Sequence, residues 1–346
     1  MAGLPGGCKH LFLRYHKLNF QLMDPIFEER TDLTRLREAM QKIREAIGQI
    51  IIGQQDMIDL MMAGLLSDGH ILIEGVPGVA KTLSAKLLAK TLAVPFSRLQ
   101  FTPDMMPSDV LGTSVFNPRD TEFRFRKGPI FSSVVLVDEI NRAPAKTQSA
   151  LFEVMEERQV TIDGNSYPMQ QPFMVIATQN PIEQEGTYRL PEAQLDRFLF
   201  KINVRYPSLE EEVTILERQQ LASAGEQLSN VVPVLHATDL LQFRQMVRQM
   251  VVEPKLLHYI ARIVGETRSN AALYLGASPR ASLSILMSSK ALAGLRGRDF
   301  VVPDDIITVV PHVLRHRIML TPEKEMEGIT PDEMIKVLLD KVEVPR

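Results

Sequence analysis

Between Thr31 and Ile47 the apolar residues Leu33, Leu36, Met40, Ile43 and Ile47 recur every three or four positions. That spacing predicts an amphipathic helix, opened by a Thr31/Asp32 cap. A break over Ile50 to Gln54 separates it from a second apolar helix carrying Met57, Leu60, Met61 and Leu65. Five short β-rich runs follow: Ile71 to Glu74, Phe96 to Phe101, Val134 to Val137, Phe173 to Ala177, and Phe198 to Val204. They are continuously apolar instead of alternating, as parallel strands covered on both faces must be. Alternating with helical segments, they predict a three-layer αβα core around a parallel five-stranded sheet. Residues 104–127 and 158–171 do not fit that alternation. The first has a period-two pattern at Glu122, Phe123, Arg124, Phe125 and Arg126, and the second sets Asp163 and Gly164 between Val160 to Ile162 and Tyr167, a hairpin signature. Both read as insertions.

Beyond Tyr206 and Pro207 the pattern turns helical, beginning with a Ser208/Glu211 capping box. Further starts are signalled at Thr238, Glu253-Pro254, Ser278-Pro279, Val302-Pro303 and Thr330-Pro331. The chain therefore divides into an extension over 1–30, an α/β core over 31–206 and an all-helical domain over 207–346. The extension, with Gly3, Gly6 and Gly7 ahead of Met23, reads as a ragged tail or an upstream mis-start in preference to a functional arm.

Composition narrows the class. A length of 346 residues allows two buried cores, and a charged fraction of 23% beside 45% hydrophobic residues excludes a disordered or coiled-coil chain. A net charge of -3 argues against a surface built to neutralise nucleic-acid phosphates. Cys8 is the only cysteine, which rules out an internal disulfide or a cysteine metal cluster and suits a reducing cytosol. The apolar runs stop far short of the ~20 residues a membrane span needs. The first residues, with Lys9, His10 and Arg14, lack the apolar core of a signal peptide. A cytoplasmic protein is expected.

The strongest chemistry lies after the first strand. Gly75, Val76, Pro77, Gly78, Val79, Ala80, Lys81 and Thr82 form a strand-to-helix loop with the spacing of a phosphate-binding loop. In such a loop backbone N–H groups and the helix N-terminus face the phosphates, Lys81 reaches the outer ones and the Thr82 hydroxyl ligates Mg²⁺. Ala80 stands where the strict pattern has glycine, and it is expected to have negative φ as part of the helix already begun. Val134 to Val137 runs into Asp138 and Glu139: Asp138 would hold the metal, and Glu139 would act as base on a water in line with the γ-phosphate. Phe173 to Ala177 ends at Thr178, Gln179 and Asn180, and Asn180 could bond that water or the γ-phosphate. No guanine-reading Asn-Lys-x-Asp follows, so ATP is the expected nucleotide.

These elements, with Ile52, Gly53 and Gln54 ahead of them, resemble an AAA+ ATPase. The segments Glu74 to Thr82, Val137 to Pro144, Ala177 to Tyr188 and Leu190 to Phe198 resemble the MoxR family closely, over roughly residues 30–340 and including Ala80. Arg189 departs from the family, where proline is usual. The resemblance implies a homo-oligomeric ring, usually a hexamer, with ATP at subunit interfaces and Ile52 and Gly53 contributing to the nucleotide site. It also implies that Asn180 is sensor 1, that Arg197 is an arginine finger acting on a neighbour, and that Arg280 is the sensor 2 arginine of a helical lid. Both insertions would face the ring axis.

By the same resemblance the chain would be a chaperone-like motor that assists complex assembly or metal-cofactor insertion with a partner carrying a von Willebrand factor A domain. A magnesium-chelatase-like subunit, a nucleic-acid remodeller and a nucleotide-sensing scaffold without turnover are the rival readings. Glu139 argues against the last. His312 and His316, four apart, lack a third ligand, so a metal site there is not expected. The basic residues Arg119, Arg124, Arg126 and Lys127 read as an exposed strand face before they read as a nucleic-acid contact, and Met105 and Met106 as core filling at least as readily as a partner grip.

Overall fold

In chain order the elements are α1 (Thr34–Gly48), α2 (Gln55–Leu66), β1 (His70–Gly75), α3 (Lys81–Thr91), β2 (Phe96–Gln100), α4 (Pro107–Leu111), β3 (Gly112–Asn117), β4 (Glu122–Lys127) and β5 (Val134–Asp138). There follow α5 (Ala145–Glu157), β6 (Gln159–Ile162), β7 (Asn165–Pro168), β8 (Met174–Gln179), α6 (Glu192–Leu195), β9 (Phe198–Val204) and α7 (Leu209–Leu221). The C-terminal part comprises α8 (Ala237–Gln249), α9 (Pro254–Ser269), β10 (Leu273–Leu275), α10 (Pro279–Leu295), α11 (Pro303–Leu314), β11 (Met319–Leu320), α12 (Pro322–Met326) and α13 (Pro331–Lys341). This computed structural model describes residues 32–119, 121–181, 187–221, 228 and 231–345. The extension over 1–30, Cys8 and the Thr31 half of the first cap lie outside the described residues.

Five strands form one parallel sheet in the order β2-β5-β8-β1-β9. The period of two that the apolar runs hide is visible in the packing. Ile71, Ile73, Val134 and Leu136 join the cluster under α1, α2 and α3, whereas Leu72, Val135 and Val137 join the cluster under α5. Each run must be apolar throughout because successive side chains enter opposite cores. β2 departs from this: Arg98 and Gln100 are exposed and only Leu99 is buried, as an edge position allows.

The expected α1 seam is buried at Leu33, Leu36, Met40, Ile43 and Ile47. Its cap is one residue later than expected, since Leu33 occupies the cap position while Asp32 Oδ1 accepts from Thr34 N at 2.9 Å. Both insertions are hairpins, β3–β4 and β6–β7. Asp163 (φ 52°) and Gly164 (φ 77°) both take the left-handed backbone of a two-residue turn. The hairpins touch through Phe125 and Tyr167, with ring centroids 4.5 Å apart, and through a 2.6 Å bond from Ser114 to Asp163.

The Ser208/Glu211 and Thr330/Glu333 boxes form reciprocally. The C-terminal part is helical, with an addition that its sequence did not signal: β10 and β11 pair as a short antiparallel ribbon. Most of its helices join the main core, while Leu320, Met334 and Leu338 form a small cluster of their own. Phe243, Val247, Ile285, Leu292, Val309 and Val313 belong to the cluster that also covers β1 and β8, and residues 32–346 pack as one unit.

Candidate nucleotide-binding site

The sheet order brings the C-terminal ends of β2, β5, β8 and β1 to one edge. The cleft there is lined by Pro77 to Leu83, Arg98, Gln100, Asp138, Glu139, Thr178 and Asn180. Thus the loop, both acidic residues and Asn180 meet as expected. Lys81 Nζ folds back on its own loop, donating to the carbonyls of Gly75 and, at 3.2 Å, of Val76. Gly75 is packed tightly, since a Cβ would lie 3.0 Å from the Val204 carbonyl. Gly78 has φ 88° with open space where a side chain would project, so the loop leaves room for phosphate oxygens.

Ala80 corrects the expectation drawn from its sequence. Its φ is 60°, not negative, and α3 begins only at Lys81. The left-handed residue turns the chain from loop to helix, and its carbonyl accepts from Ser84 N at 2.9 Å and Ser84 Oγ at 3.0 Å. Alanine thus bears a strain that glycine would avoid, typically ~1–2 kcal/mol.

Asp138 is buried and fully engaged. Its Oδ1 accepts from Thr82 Oγ1 and Thr178 Oγ1, each at 3.1 Å, and Oδ2 accepts from Arg98 Nε at 2.7 Å. Thr178 also accepts from Glu139 N at 3.1 Å, which ties the ends of β5 and β8 together. Glu139 leaves the strand with φ 56°, a conformation that non-glycine residues reserve for special sites. Its Oε2 meets Gln100 Nε2 at 2.8 Å and Arg142 Nε at 3.1 Å.

The donors suit a magnesium ion. Thr82 Oγ1 and Asp138 Oδ1 supply a hydroxyl and a carboxylate oxygen side by side, and Mg²⁺ takes few protein ligands because phosphates and water complete its shell. Among the described residues no cluster of three or more His, Cys, Asp or Glu offers another metal site.

Beyond the loop lies an apolar slot lined by Ile50, Ile51, Ile52, Val79, Leu83, Pro207 and Ile215. Gly78, Val79, Ala80 and Leu83 border both spaces, so a planar base on one side and phosphates on the other would share the loop as their divider. Ile52 lines this slot. Gly53 serves the turn instead: at φ 67°, a Cβ there would come within 2.5 Å of the Glu211 carboxylate.

Arg197 and Arg280 do not line the loop cleft. They lie in a second cavity with Glu156, Asp196 and Arg317. Arg280 Nη2 donates to Glu156 Oε1 at 2.7 Å, and Arg197 Nε lies 3.4 Å from Glu156 Oε2.

The family comparisons agree with this geometry. A model of the ATPase family associated with various cellular activities (AAA) matches residues 70–200, and an AAA lid domain matches residues 265–337. Chaperone MoxR1 of Mycobacterium tuberculosis is 47% identical over 309 residues, covering 87% of this chain and 81% of that protein. The uncharacterized YeaC of Bacillus subtilis is 44% identical over 90% of this chain and 96% of its own length. The chain belongs to the MoxR family of AAA+ ATPases. Protein MoxR of Methylorubrum extorquens is 30% identical over 90% of this chain and 97% of its own. A crystal structure from Cytophaga hutchinsonii, titled as an ATPase candidate, superposes with a TM-score of 0.83 at 41% identity, covering 91% of this chain and 97% of that one.

Within this MoxR-family site, sequence reasoning missed Arg98, Gln100, Arg142 and Thr178. Arg98 and Gln100 carried a faint signal: polar residues two apart at the end of a β-rich run, hence on one face of the strand. Thr178 is legible in the sequence only as the end of its strand. Glu156, one exposed acid on a helix, gave no signal. Among the described helices none is long and apolar enough to cross a membrane. His316 Nε2 faces the Phe198 carbonyl at 3.0 Å, in keeping with a packed core histidine.

Proposed function

We propose that this MoxR-family chain hydrolyses ATP to ADP and phosphate at the interfaces of a homo-oligomeric, hexameric ring in the cytoplasm, and that the cycle drives a chaperone-like action on a partner protein. One observation carries this reading. Lys81, Thr82, Asp138, Glu139 and Asn180 share one cleft, while Arg197 and Arg280 share another on the same chain. In this reading a phosphate held in the first cleft meets both arginines from a second copy.

In this reading the loop N–H groups and Lys81 bind the triphosphate, and Ile52 and its apolar neighbours take the base. Thr82 and Asp138 would hold Mg²⁺, which when bound neutralises charge on the phosphate oxygens. Glu139 removes the proton from the attacking water, and Asn180 orients that water. Arg197 and Arg280 of the neighbour meet charge that grows on the γ-phosphate. The resemblance to a protein named chaperone MoxR1 favours chaperone-like action, the family resemblance of the motifs implies a client protein with a von Willebrand factor A domain, and the net charge of -3 favours a protein client over nucleic acid.

The test is complementation. Arg197→Ala subunits keep a complete loop cleft, and Lys81→Ala subunits keep both arginines. Each alone should be nearly inactive, and mixing them should restore turnover at the interfaces where intact halves meet. A mixture no more active than its components would reject the interface reading.

A further inference from the structure

We infer that Glu156 is a positioning residue that gathers Arg197 and Arg280 into a single cationic pair for presentation to a neighbouring subunit's phosphates. This rests on the interface reading above. Arg197 precedes β9, whereas Arg280 stands in the first turn of α10, in the C-terminal helical part. Two guanidinium groups from separate elements repel each other, so without a shared anion they would drift apart. Glu156 supplies that anion with one oxygen for each: Oε1 accepts from Arg280 at 2.7 Å, and Oε2 lies 3.4 Å from Arg197.

The helix beneath the pair is arranged for this. Phe152 and Glu156 are four residues apart on α5 and so share a face. The guanidinium of Arg197 sits over the Phe152 ring, 6.0 Å from its centroid, with the Glu156 carboxylate 3.4 Å from its Nε. The other acids of the cavity are committed elsewhere. Asp68 is taken by Arg158 and Arg244, and Asp196 accepts from the buried Arg317 at 2.6 Å, leaving Arg280 a long second contact of 3.7 Å. Arg317 also donates to the carbonyls of Asp196 and Phe198, fixing the backbone on either side of Arg197.

The pair remains one negative charge short. Arg197 Nε is buried and makes no aligned hydrogen bond, because its approach to Glu156 meets the distance of an ion pair without the geometry of a bond. A partly matched cationic pair is suited to accept a further anion, and a triphosphate from the facing subunit has the required charge. The carboxylate thus orders the two arginines without exhausting them.

The complementation pair tests this directly. Glu156→Gln is placed either on the Lys81→Ala subunit, which donates the arginines, or on the Arg197→Ala subunit, which holds the nucleotide. Glutamine keeps an acceptor for Arg280 and removes the charge. On the arginine-donating side it should lower kcat of the mixture about tenfold, with KM for ATP within about threefold, the pattern of a contact that acts in the transition state. On the nucleotide-holding side it should change little.

A second measurement guards against a general packing defect. Added to donors that already carry Arg280→Ala, Glu156→Gln should cost markedly less than it does alone, because the two residues act as a unit. Equal losses on both sides, or no loss on the donor side while complementation succeeds, would overturn the role of Glu156 and leave the interface reading intact. Failure of complementation itself would overturn both.

Discussion

Gln100 Nε2 donates to Glu139 Oε2 across 2.8 Å, joining the ends of two adjacent strands at the acid assigned as the base. Arg142 approaches the same oxygen at 3.1 Å. Both contacts engage the oxygen that would have to receive a proton from the attacking water.

Glu139→Gln should therefore lower turnover by about 10²-fold or more, the usual contribution of a general base, with ATP affinity retained. Gln100→Ala should raise client-free turnover by about two- to fivefold, because it removes one of the two groups that occupy Oε2. Phosphate release under saturating ATP reads both. Slower turnover in Gln100→Ala at unchanged affinity would mean that Gln100 holds Glu139 in place and does not restrain it.

Lys81 donates to the carbonyls of its own loop, and it must leave them to meet a phosphate. Charged hydrogen bonds are worth about 1.5–3 kcal/mol, so Lys81→Ala should weaken ATP binding roughly ten- to hundredfold. Asp138→Asn should instead remove most of the difference in affinity between Mg²⁺ and EDTA. A fluorescent-nucleotide titration in both buffers separates the two effects, and a Lys81→Ala protein that binds as tightly as wild type would contradict the cradle.

The left-handed Ala80 gives a stability prediction of definite sign. Ala80→Gly relieves the strain but loosens the unfolded chain, for a net gain of about 0.5–1 kcal/mol. Ala80→Val should lose about 1–3 kcal/mol, because a β-branched residue tolerates this backbone worst. Urea unfolding midpoints check the pair. A destabilised Ala80→Gly protein would show that the alanine methyl matters more than the φ angle.

Burial and nearby arginines hold His70 and His312 down at about 3 and His316 well below its ordinary 6.5. His70 faces Arg158 and Arg244, His312 faces Arg315, and His316 faces Arg317, Lys201 and Arg315, so the cations add to burial in every case. Below pH 6.5 the unfolded chain binds protons that the native protein refuses. Stability contributed by these histidines is thus fully present above 6.5 and is lost as the pH falls towards 3. The slope approaches about 1.4 kcal/mol per pH unit for each histidine. Urea midpoints should fall steadily between pH 7 and pH 5, and a flat profile would contradict their buried, neutral state.

Most of the nucleotide cleft was legible because its parts are local. A phosphate loop is one strand, one turn and one helix start, so Gly75 to Thr82 can be recognised without knowing what lies beside it. Asp138, Glu139 and Asn180 likewise stand where apolar runs end, and parallel strands must end at a common edge. Ala80 marks where this reasoning failed, since residue type gave a preference for negative φ and the turn into α3 overrode it.

The sequence by itself determined the parallel sheet, the two hairpin insertions and the phosphate loop, because period, turn chemistry and motif spacing are written within a few consecutive residues. Only the tertiary structure decided which residues meet across elements. It set Gln100 beside Glu139 and Arg98 beside Asp138, and it put Arg197 and Arg280 on Glu156 in a cavity apart from the loop. Ion pairs between distant segments have no period to betray them. They follow from strand order and from how the C-terminal helices share the core, and both are fixed only when the whole chain packs.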